Sequence, residues 1–279
     1  MIELGKVQEL MVVKKVDFGV YLGETMDAGQ EERVLLPGKK VPAGTEEGDR
    51  VQVFIYKDSS DRLIATTDRP KALLGETAVM RVAQVTKIGA FLDWGLEKDL
   101  FLPYKEQTKR VHEGEEVLAA VYIDKSSRLC ATMKVYHYLS DRSPYNKDDT
   151  VTGVVYEVSK NFGVFVAVDD KYSAMIPRQE AQGGYQPGDE VTCRVSAVRE
   201  DGKLTLSPKK KAYLQIYEDA QNVYEIIEDF DGVLPFDDKA DPVLIQREFG
   251  LSKNAFKRAV GHLLKEEKIE LKNGKIYIR

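Results

Sequence analysis

The fold of this chain is decided by the segment Lys160-Asn161-Phe162-Gly163-Val164-Phe165-Val166, because two earlier segments repeat its pattern. They are Val16-Asp17-Phe18-Gly19-Val20-Tyr21-Leu22 and Thr86-Lys87-Ile88-Gly89-Ala90-Phe91-Leu92. The glycines of the three copies lie 70 and 74 residues apart. Self-similarity at such a period indicates that one structural unit occurs three times along the chain.

Each copy is followed by the same landmarks in the same order. An apolar pair ending in proline comes first, as Leu35-Leu36-Pro37, Phe101-Leu102-Pro103 and Met175-Ile176-Pro177. A glycine-led turn, a β-rich run and a short strand behind a basic residue then close the unit. Five short strands rich in Val, Ile, Phe and Tyr, within about 60 residues, predict a small closed barrel of the OB type. We place the three units at residues 3–68, 73–134 and 148–210.

The rest of the chain has helical signals followed by a hairpin signal. A helix is predicted over 219–228, a second from the cap Asp241-Pro242 to Phe249, and a third from the cap Ser252 to about Glu267. Two alternating strands then flank Lys272-Asn273-Gly274, a sequence that favours a tight turn. Three helices and a hairpin describe a winged helix. The fold class is therefore mostly β with an α C-terminus, in four domains at 1–70, 71–147, 148–211 and 212–279.

The third repeat resembles the ribosomal S1-type RNA-binding domain from Gly153 to Lys209. The residues that carry this resemblance include Phe162-Gly163-Val164-Phe165-Val166 and Gly188-Asp189-Glu190-Val191. The order of three such domains and a winged helix is similar to the conserved virulence factor B family of bacterial RNA-binding regulators. The resemblance implies single-stranded RNA as the partner and post-transcriptional, virulence-type regulation as the process.

In S1-type domains, the resemblance implies that aromatic residues of the second strand stack on unpaired bases, a contact that tolerates any sequence. The matching positions are Phe18 and Tyr21, Ile88 and Phe91, and Phe162 and Phe165. Strict strand alternation would place the two members of a pair on opposite faces, so sharing a face requires a bend near the glycine.

Phosphate binding requires positive charge beside these aromatic residues. The candidates in the third repeat are Lys160, Arg178, Arg194, Arg199 and Lys203, and Arg62 and Arg128 align with Lys203. Many S1-type domains carry a histidine where this chain has Leu35, Phe101 and Met175. An aspartate of the family is matched by Asp124 but replaced by Lys57 and Arg199 in the other repeats. These departures favour the third repeat as the main RNA-binding barrel.

Charge is distributed unevenly in a chain whose net charge is −5. Residues 213–251 carry a balance of −8 and residues 252–279 a balance of +5. The third predicted helix offers Lys257 and Arg258, and the wing offers Lys272 and Lys275. We also expect Lys209-Lys210-Lys211 to extend the basic surface. The winged helix thus has two interpretations, nucleic-acid binding or docking of a protein partner.

Other functional classes have little support in the sequence. The three histidines are isolated, the two cysteines have no metal-ligand spacing, and no nucleotide-binding or catalytic motif is present. No segment is apolar enough to cross a membrane. We therefore expect a cytoplasmic protein that is not an enzyme and needs no cofactor or metal. Two alternatives remain, a protein-docking scaffold and a DNA-binding regulator that uses the winged helix.

Overall fold

The computed structural model describes residues 1–181, 183–208 and 212–279, with side chains throughout except at 212–214. The chain divides into two compact units, Met1–Pro208 and Lys209–Arg279. The first unit contains three closed five-stranded barrels, as the repeats predict. No helix in the described residues is long and apolar enough to span a membrane.

The three barrels share one strand order. Barrel 1 (residues 7–66) consists of β1 (Val7–Val16), β2 (Gly19–Gly23), β3 (Val34–Pro37), β4 (Arg50–Lys57) and β5 (Leu63–Thr66). Barrel 2 (77–132) consists of β6 (Thr77–Val85), β7 (Gly89–Asp93), β8 (Leu100–Pro103), β9 (Glu116–Ile123) and β10 (Leu129–Thr132). Barrel 3 (150–207) consists of β11 (Thr150–Ser159), β12 (Gly163–Val168), β13 (Tyr172–Pro177), β14 (Glu190–Val198) and β15 (Leu204–Ser207). In each barrel the third strand pairs in parallel with the fifth, which closes the sheet and removes its exposed edges.

The repeated glycine begins the second strand of each barrel because only glycine fits there. Gly163 has a φ of +130°, and a Cβ at this position would lie 2.1 Å from the carbonyl oxygen of Ile176 on β13. Gly19 and Gly89 also have positive φ, and a Cβ there would lie 2.1 and 2.5 Å from a backbone carbonyl oxygen of the third strand. The glycine of the motif is therefore required by a close approach between the second and third strands.

Barrels 1 and 2 are packed against each other through large apolar side chains. Phe54, on β4 of barrel 1, is 1% exposed and belongs to the hydrophobic core of barrel 2. Its ring meets the indole of Trp94 edge to face, with 5.7 Å between the centroids. The backbone N–H of Leu74 also donates to the carbonyl oxygen of Gly5 over 3.0 Å.

Barrels 2 and 3 share a second apolar cluster and a backbone connection. Leu118 and Ala120 of β9 pack with Tyr156 of β11, and Val135 and Leu139 of the connecting segment join them. Ser140, in the same segment, pairs in parallel with Tyr172 at the start of β13. The connection is thus part of the sheet of barrel 3. Barrel 2 is thus packed against both barrel 1 and barrel 3, which the repeat pattern did not predict.

The second unit is a winged helix, as predicted. It contains α1 (Ala212–Asp229), β16 (Val233–Leu234), α2 (Pro242–Phe249), α3 (Lys253–Lys265), β17 (Ile269–Lys272) and β18 (Lys275–Ile278). Asp241 and Ser252 cap the second and third helices through their side chains, and Gly250 ends α2 with a φ of +67°.

Two elements of this unit differ from the prediction. The first helix begins at Ala212 rather than 219, because no glycine or proline interrupts the chain between Pro208 and Gly232. Strand β16 was not predicted, because two residues are too few to show a pattern. It pairs with β18 and makes the hairpin a three-stranded sheet.

Candidate nucleic-acid interface

Each barrel exposes a large apolar side chain immediately before the glycine of its second strand. Phe18, Ile88 and Phe162 are 59%, 65% and 66% exposed. They lie in the turn between the first and second strands, outside both strands, so strand alternation does not fix their direction. The sequence argument about alternation therefore does not apply to these positions.

The second member of each pair is less exposed, and its surroundings differ among the barrels. In barrel 1, the rings of Phe18 and Tyr21 meet edge to face with 6.4 Å between their centroids, so this pair shares one face. In barrel 3, Phe165 lies 6.0 Å from the ring of Tyr156 and packs against the cluster between barrels 2 and 3. Phe162 is thus an open stacking surface, whereas Phe165 also supports the packing of two barrels.

Two of the predicted cations stand beside Phe162 with their charge uncompensated. Lys160 and Arg178 are exposed, and neither has a carboxylate within ion-pairing distance among the described residues. The backbone N–H of Arg178 donates to the carbonyl oxygen of Phe162 over 3.1 Å, which holds the two backbones together. An exposed ring with two unpaired cations at neighbouring backbone positions suits a base and its flanking phosphates.

The other three predicted cations of barrel 3 have partners within the protein. Arg194 is half-buried and donates to Asp148 Oδ1 over 2.9 Å. Arg199 pairs with Asp201 at 3.3 Å. Lys203 Nζ donates to the hydroxyl of Tyr136 over 3.1 Å and lies 5.0 Å from the centre of that ring. The bond to Tyr136 raises the pKa of Lys203, which therefore stays charged but is already occupied.

The aligned arginines of barrels 1 and 2 are also engaged, in two different ways. Arg62 donates through Nε and Nη2 to Asp58 Oδ2, at 3.0 and 2.8 Å, within its own hairpin. Arg128 instead forms an ion pair with Asp61 of barrel 1. The hydrogen bond from Arg128 lowers the pKa of Asp61, so this inter-barrel pair is charged at neutral pH.

The family aspartate of barrel 1 is Asp58, and the assignment of that position to Lys57 was wrong by one residue. The backbone N–H groups of Asp58, Asp124 and Arg199 donate to the carbonyl oxygens of Arg62, Arg128 and Lys203 over 2.9 Å in each case. Asp58 and Asp124 therefore occupy the same place in the turn. Each accepts backbone N–H groups from within its own turn.

Barrels 1 and 2 together form a groove that brings together the predicted site residues Ile88, Phe91 and Arg128 of barrel 2. The contribution of barrel 1 to this groove was not predicted. Its volume is about 290 Å³, and barrel 2 lines it with Phe91, Phe101 and Asp99. Barrel 1 contributes Tyr56 and Lys57 from β4. Phe91 and Phe101 lie 5.3 Å apart between ring centroids. The available signal was the insertion Trp94-Gly95-Leu96-Glu97-Lys98-Asp99, which contains the only tryptophan of the chain.

The predicted basic residues of the winged helix are exposed on two elements. Lys257 and Arg258 lie on α3, and within the described part of the chain neither has an ion-pairing carboxylate. On the wing, Lys275 is likewise exposed, whereas Lys272 pairs with Glu270. The predicted basic run Lys209-Lys210-Lys211 lies outside the described residues.

The sequence matches known domain families along nearly its whole length. Residues 4–68 and 74–134 match the S1 domain, and residues 145–209 match the S1 RNA binding domain. Residues 221–278 match the CvfB-like winged helix domain. The barrels and the C-terminal unit are thus of the S1 and winged-helix nucleic-acid-binding type.

Similar proteins extend this relationship to the whole chain. The YitL protein of Bacillus subtilis is 30% identical over 98% of this chain and 93% of its own length. Conserved virulence factor B of Staphylococcus saprophyticus is 27% identical over 82% of this chain and 79% of that protein. The chain belongs to the conserved virulence factor B family. This membership confirms the resemblance inferred from the three repeats and the winged helix.

A solved structure supports the fold of this family member. It is a multidomain protein with nucleic acid binding domains from Streptococcus pneumoniae, with a TM-score of 0.52 and 24% sequence identity. The match covers 99% of this chain and 98% of that chain. The order of three barrels and a winged helix is therefore found in a second protein.

Proposed function

We propose that the protein binds single-stranded RNA, mainly through barrel 3, and acts as a post-transcriptional regulator in the cytoplasm. The observation that carries this proposal is Phe162, two-thirds exposed beside the uncompensated cations Lys160 and Arg178. The match of residues 145–209 to an RNA-binding domain family supports the same ligand.

Exposure of a phenylalanine ring is unfavourable unless a ligand covers it. Burial of a Phe side chain contributes about 1.5–3 kcal/mol, and Phe162 gives up most of this gain in the free protein. Stacking on an unpaired base recovers about 1–3 kcal/mol, and any base can supply it. An exposed apolar side chain at the same position of all three barrels indicates that the feature belongs to the interface.

The four-domain division at 1–70, 71–147, 148–211 and 212–279 belongs to the same proposal. In it, the winged helix adds phosphate contacts through Lys257, Arg258 and Lys275, which are exposed on α3 and the wing. Contacts between these positive charges and phosphates do not depend on the base sequence, so the winged helix tolerates many RNA sequences.

Competition for the full chain tests the proposal directly. A fluorescent single-stranded RNA of about 20 nucleotides is bound, and unlabelled single-stranded RNA or duplex DNA of the same length is then added. We expect single-stranded RNA to displace the label at much lower concentration than duplex DNA. Preferential displacement by duplex DNA would support the DNA-binding alternative, and absence of RNA binding at low salt would support a docking scaffold.

A further inference from the structure

The groove between barrels 1 and 2 differs from an open RNA-binding face in having side chains from two barrels. Phe91 and Phe101 line it from barrel 2, and Tyr56 lines it from barrel 1. The ion pair between Arg128 and Asp61 joins the two barrels at its rim. A volume of about 290 Å³ is at the small end of ligand pockets and holds one nucleotide rather than a strand.

Asp99 is a carboxylate in this groove without a partner among the described residues. Its carboxylate is partly buried and accepts no hydrogen bond from any residue that the structure describes. Burial, and then the nearby charge of Asp93, raise the pKa of Asp99. A partly buried carboxylate without protein donors is available to a ligand that supplies N–H groups.

The groove also holds positive charge for a phosphate. Lys57 lines it and has no carboxylate within ion-pairing distance in the described ranges. Lys98 lies beside it, with Nζ donating to the backbone carbonyl oxygens of Lys57 and Asp58 at 3.3 and 3.0 Å. Neither ammonium group is paired with a carboxylate among the described residues, so both are available to a phosphate.

We propose that this groove binds a single guanine nucleotide, with the base against the aromatic side chains, its N–H edge on Asp99 and its phosphate near Lys57. Guanine presents two neighbouring donors, N1–H and the exocyclic amine, to the two oxygens of one carboxylate. Adenine, cytosine and uracil do not present two adjacent N–H donors of this kind. The site is separate from Phe162 and extends the function beyond binding of a strand by barrel 3.

The nucleotide comes either from solution or from an unpaired guanine within RNA. The chemistry at the groove is the same in both cases. Titration with GMP tests the first source, and a pentamer with one central guanine among uridines, compared with all-uridine, tests the second. Trp94 is the only tryptophan of the chain and lines the groove, so its emission reports binding at this place.

The full chain is titrated with GMP, AMP, CMP, UMP and guanosine while Trp94 emission and heat are recorded. We expect GMP to bind roughly 5- to 150-fold more tightly than the other three mononucleotides, which corresponds to about 1–3 kcal/mol for a two-bond pair. Asp99→Asn removes that preference, and Lys57→Gln reduces the advantage of GMP over guanosine. Phe101→Leu, which removes one ring, weakens binding of GMP roughly 5- to 150-fold.

Glu97→Gln is the matched control, because Glu97 is an exposed carboxylate two residues from Asp99 and does not line the groove. It leaves GMP binding unchanged. Binding of either source that depends on Asp99 supports the proposal, including when Phe162→Ala abolishes binding of long RNA. The proposal is overturned if neither source changes Trp94 emission, if another base is preferred, or if Asp99→Asn, still folded by its melting curve, binds GMP as before.

Discussion

The ring of Phe54, on a strand of barrel 1, lies 5.7 Å from the indole of Trp94 in barrel 2 and is buried in the core of that second barrel. A side chain of one repeat thus completes the core of the next. Barrels 1 and 2 should consequently unfold as one cooperative unit.

Phe54→Ala is expected to lower the free energy of unfolding of both barrels by about 3–5 kcal/mol, because it leaves a cavity in a shared core. Urea denaturation followed by Trp94 emission and by alkylation of Cys130, which is buried in barrel 2, measures the effect. Phe18→Ala, at an exposed phenylalanine of the same barrel, should change stability by less than about 0.5 kcal/mol. Unchanged protection of Cys130 in Phe54→Ala would mean that the two barrels unfold independently.

Phe162 and Phe165 should give different results, although the sequence treats them as a pair. Phe162→Ala is expected to weaken RNA binding by about 1–3 kcal/mol without changing the melting temperature, because the ring is exposed. Phe165→Ala should lower the melting temperature, since this ring packs between barrels 2 and 3. Affinity and melting are measured on the same samples, and Phe162→Tyr, which keeps the ring, is the control. Loss of stability in Phe162→Ala would show that its ring belongs to the core.

The salt dependence of RNA binding should identify the cations that contact phosphate. Lys160→Gln and Arg178→Gln are each expected to reduce the slope of log affinity against log salt by about 0.7, the contribution of one phosphate on a single strand. Arg62→Gln is the control, because Asp58 already engages that guanidinium. Fluorescence polarisation at four or more salt concentrations gives the slopes. An equal reduction in all three variants would contradict the assignment of free and engaged cations.

The winged helix should raise the affinity of the whole chain for RNA. A second contact on the same strand becomes intramolecular, which can increase affinity by about 10²–10⁴. A chain ending at Pro208 should therefore bind an RNA of about 20 nucleotides much more weakly than the full chain. We prefer this truncation to a fragment starting at residue 148, because such a fragment would expose the apolar surface that barrel 3 shares with barrel 2.

Charge reversal on α3 tests the same contribution without truncation. Lys257→Glu with Arg258→Glu should reproduce much of the loss, because repulsion replaces attraction at the phosphates. Arg247→Glu is the control. It reverses one charge on α2, at an arginine that already pairs with Glu248. If the truncated and full chains bind RNA equally, the winged helix is a docking module for a protein partner.

The buried cysteines predict how stability changes with pH. Burial raises the pKa of Cys130 and of Cys193 to about 11, from an ordinary value of 9.0. Above pH 9 the unfolded thiols ionise while the folded ones keep their protons, so stability falls by up to about 1.4 kcal/mol per pH unit for each thiol until the folded pKa is reached. Denaturation of the wild type and of Cys130→Ala with Cys193→Ala, between pH 7 and 10, measures this. Parallel curves for the two proteins would show that the thiols do not contribute.

The three barrels could be predicted from sequence because each strand junction has its own chemical requirement. Residue 163 must be glycine because any side chain would collide with the backbone of β13. The same requirement holds at Gly19 and Gly89, and these three glycines therefore align the repeats. The caps Asp241 and Ser252 were equally local, since a side-chain oxygen satisfies an N–H group only a few residues away.

The packing between barrels could not be predicted by the same reasoning, because it depends on which outward faces meet. A signal did exist in β9, where Val117 to Val121 form an uninterrupted apolar run and are buried on both faces of the strand. Such a run indicates a strand covered on both sides. The partners of Arg128 and Lys203 were likewise hidden, since Asp61 and Tyr136 come from neighbouring parts of the fold.

Pairing of Ser140 with Tyr172 makes the connection between barrels 2 and 3 a piece of the following sheet. The distance between the exposed side chains of those barrels is then set by the protein and does not adjust to the RNA. The fixed spacing of these side chains then determines how long an RNA strand must be to contact two barrels. Lengthening an oligonucleotide one nucleotide at a time should leave affinity nearly constant until the strand reaches the next barrel, and then raise it in one step.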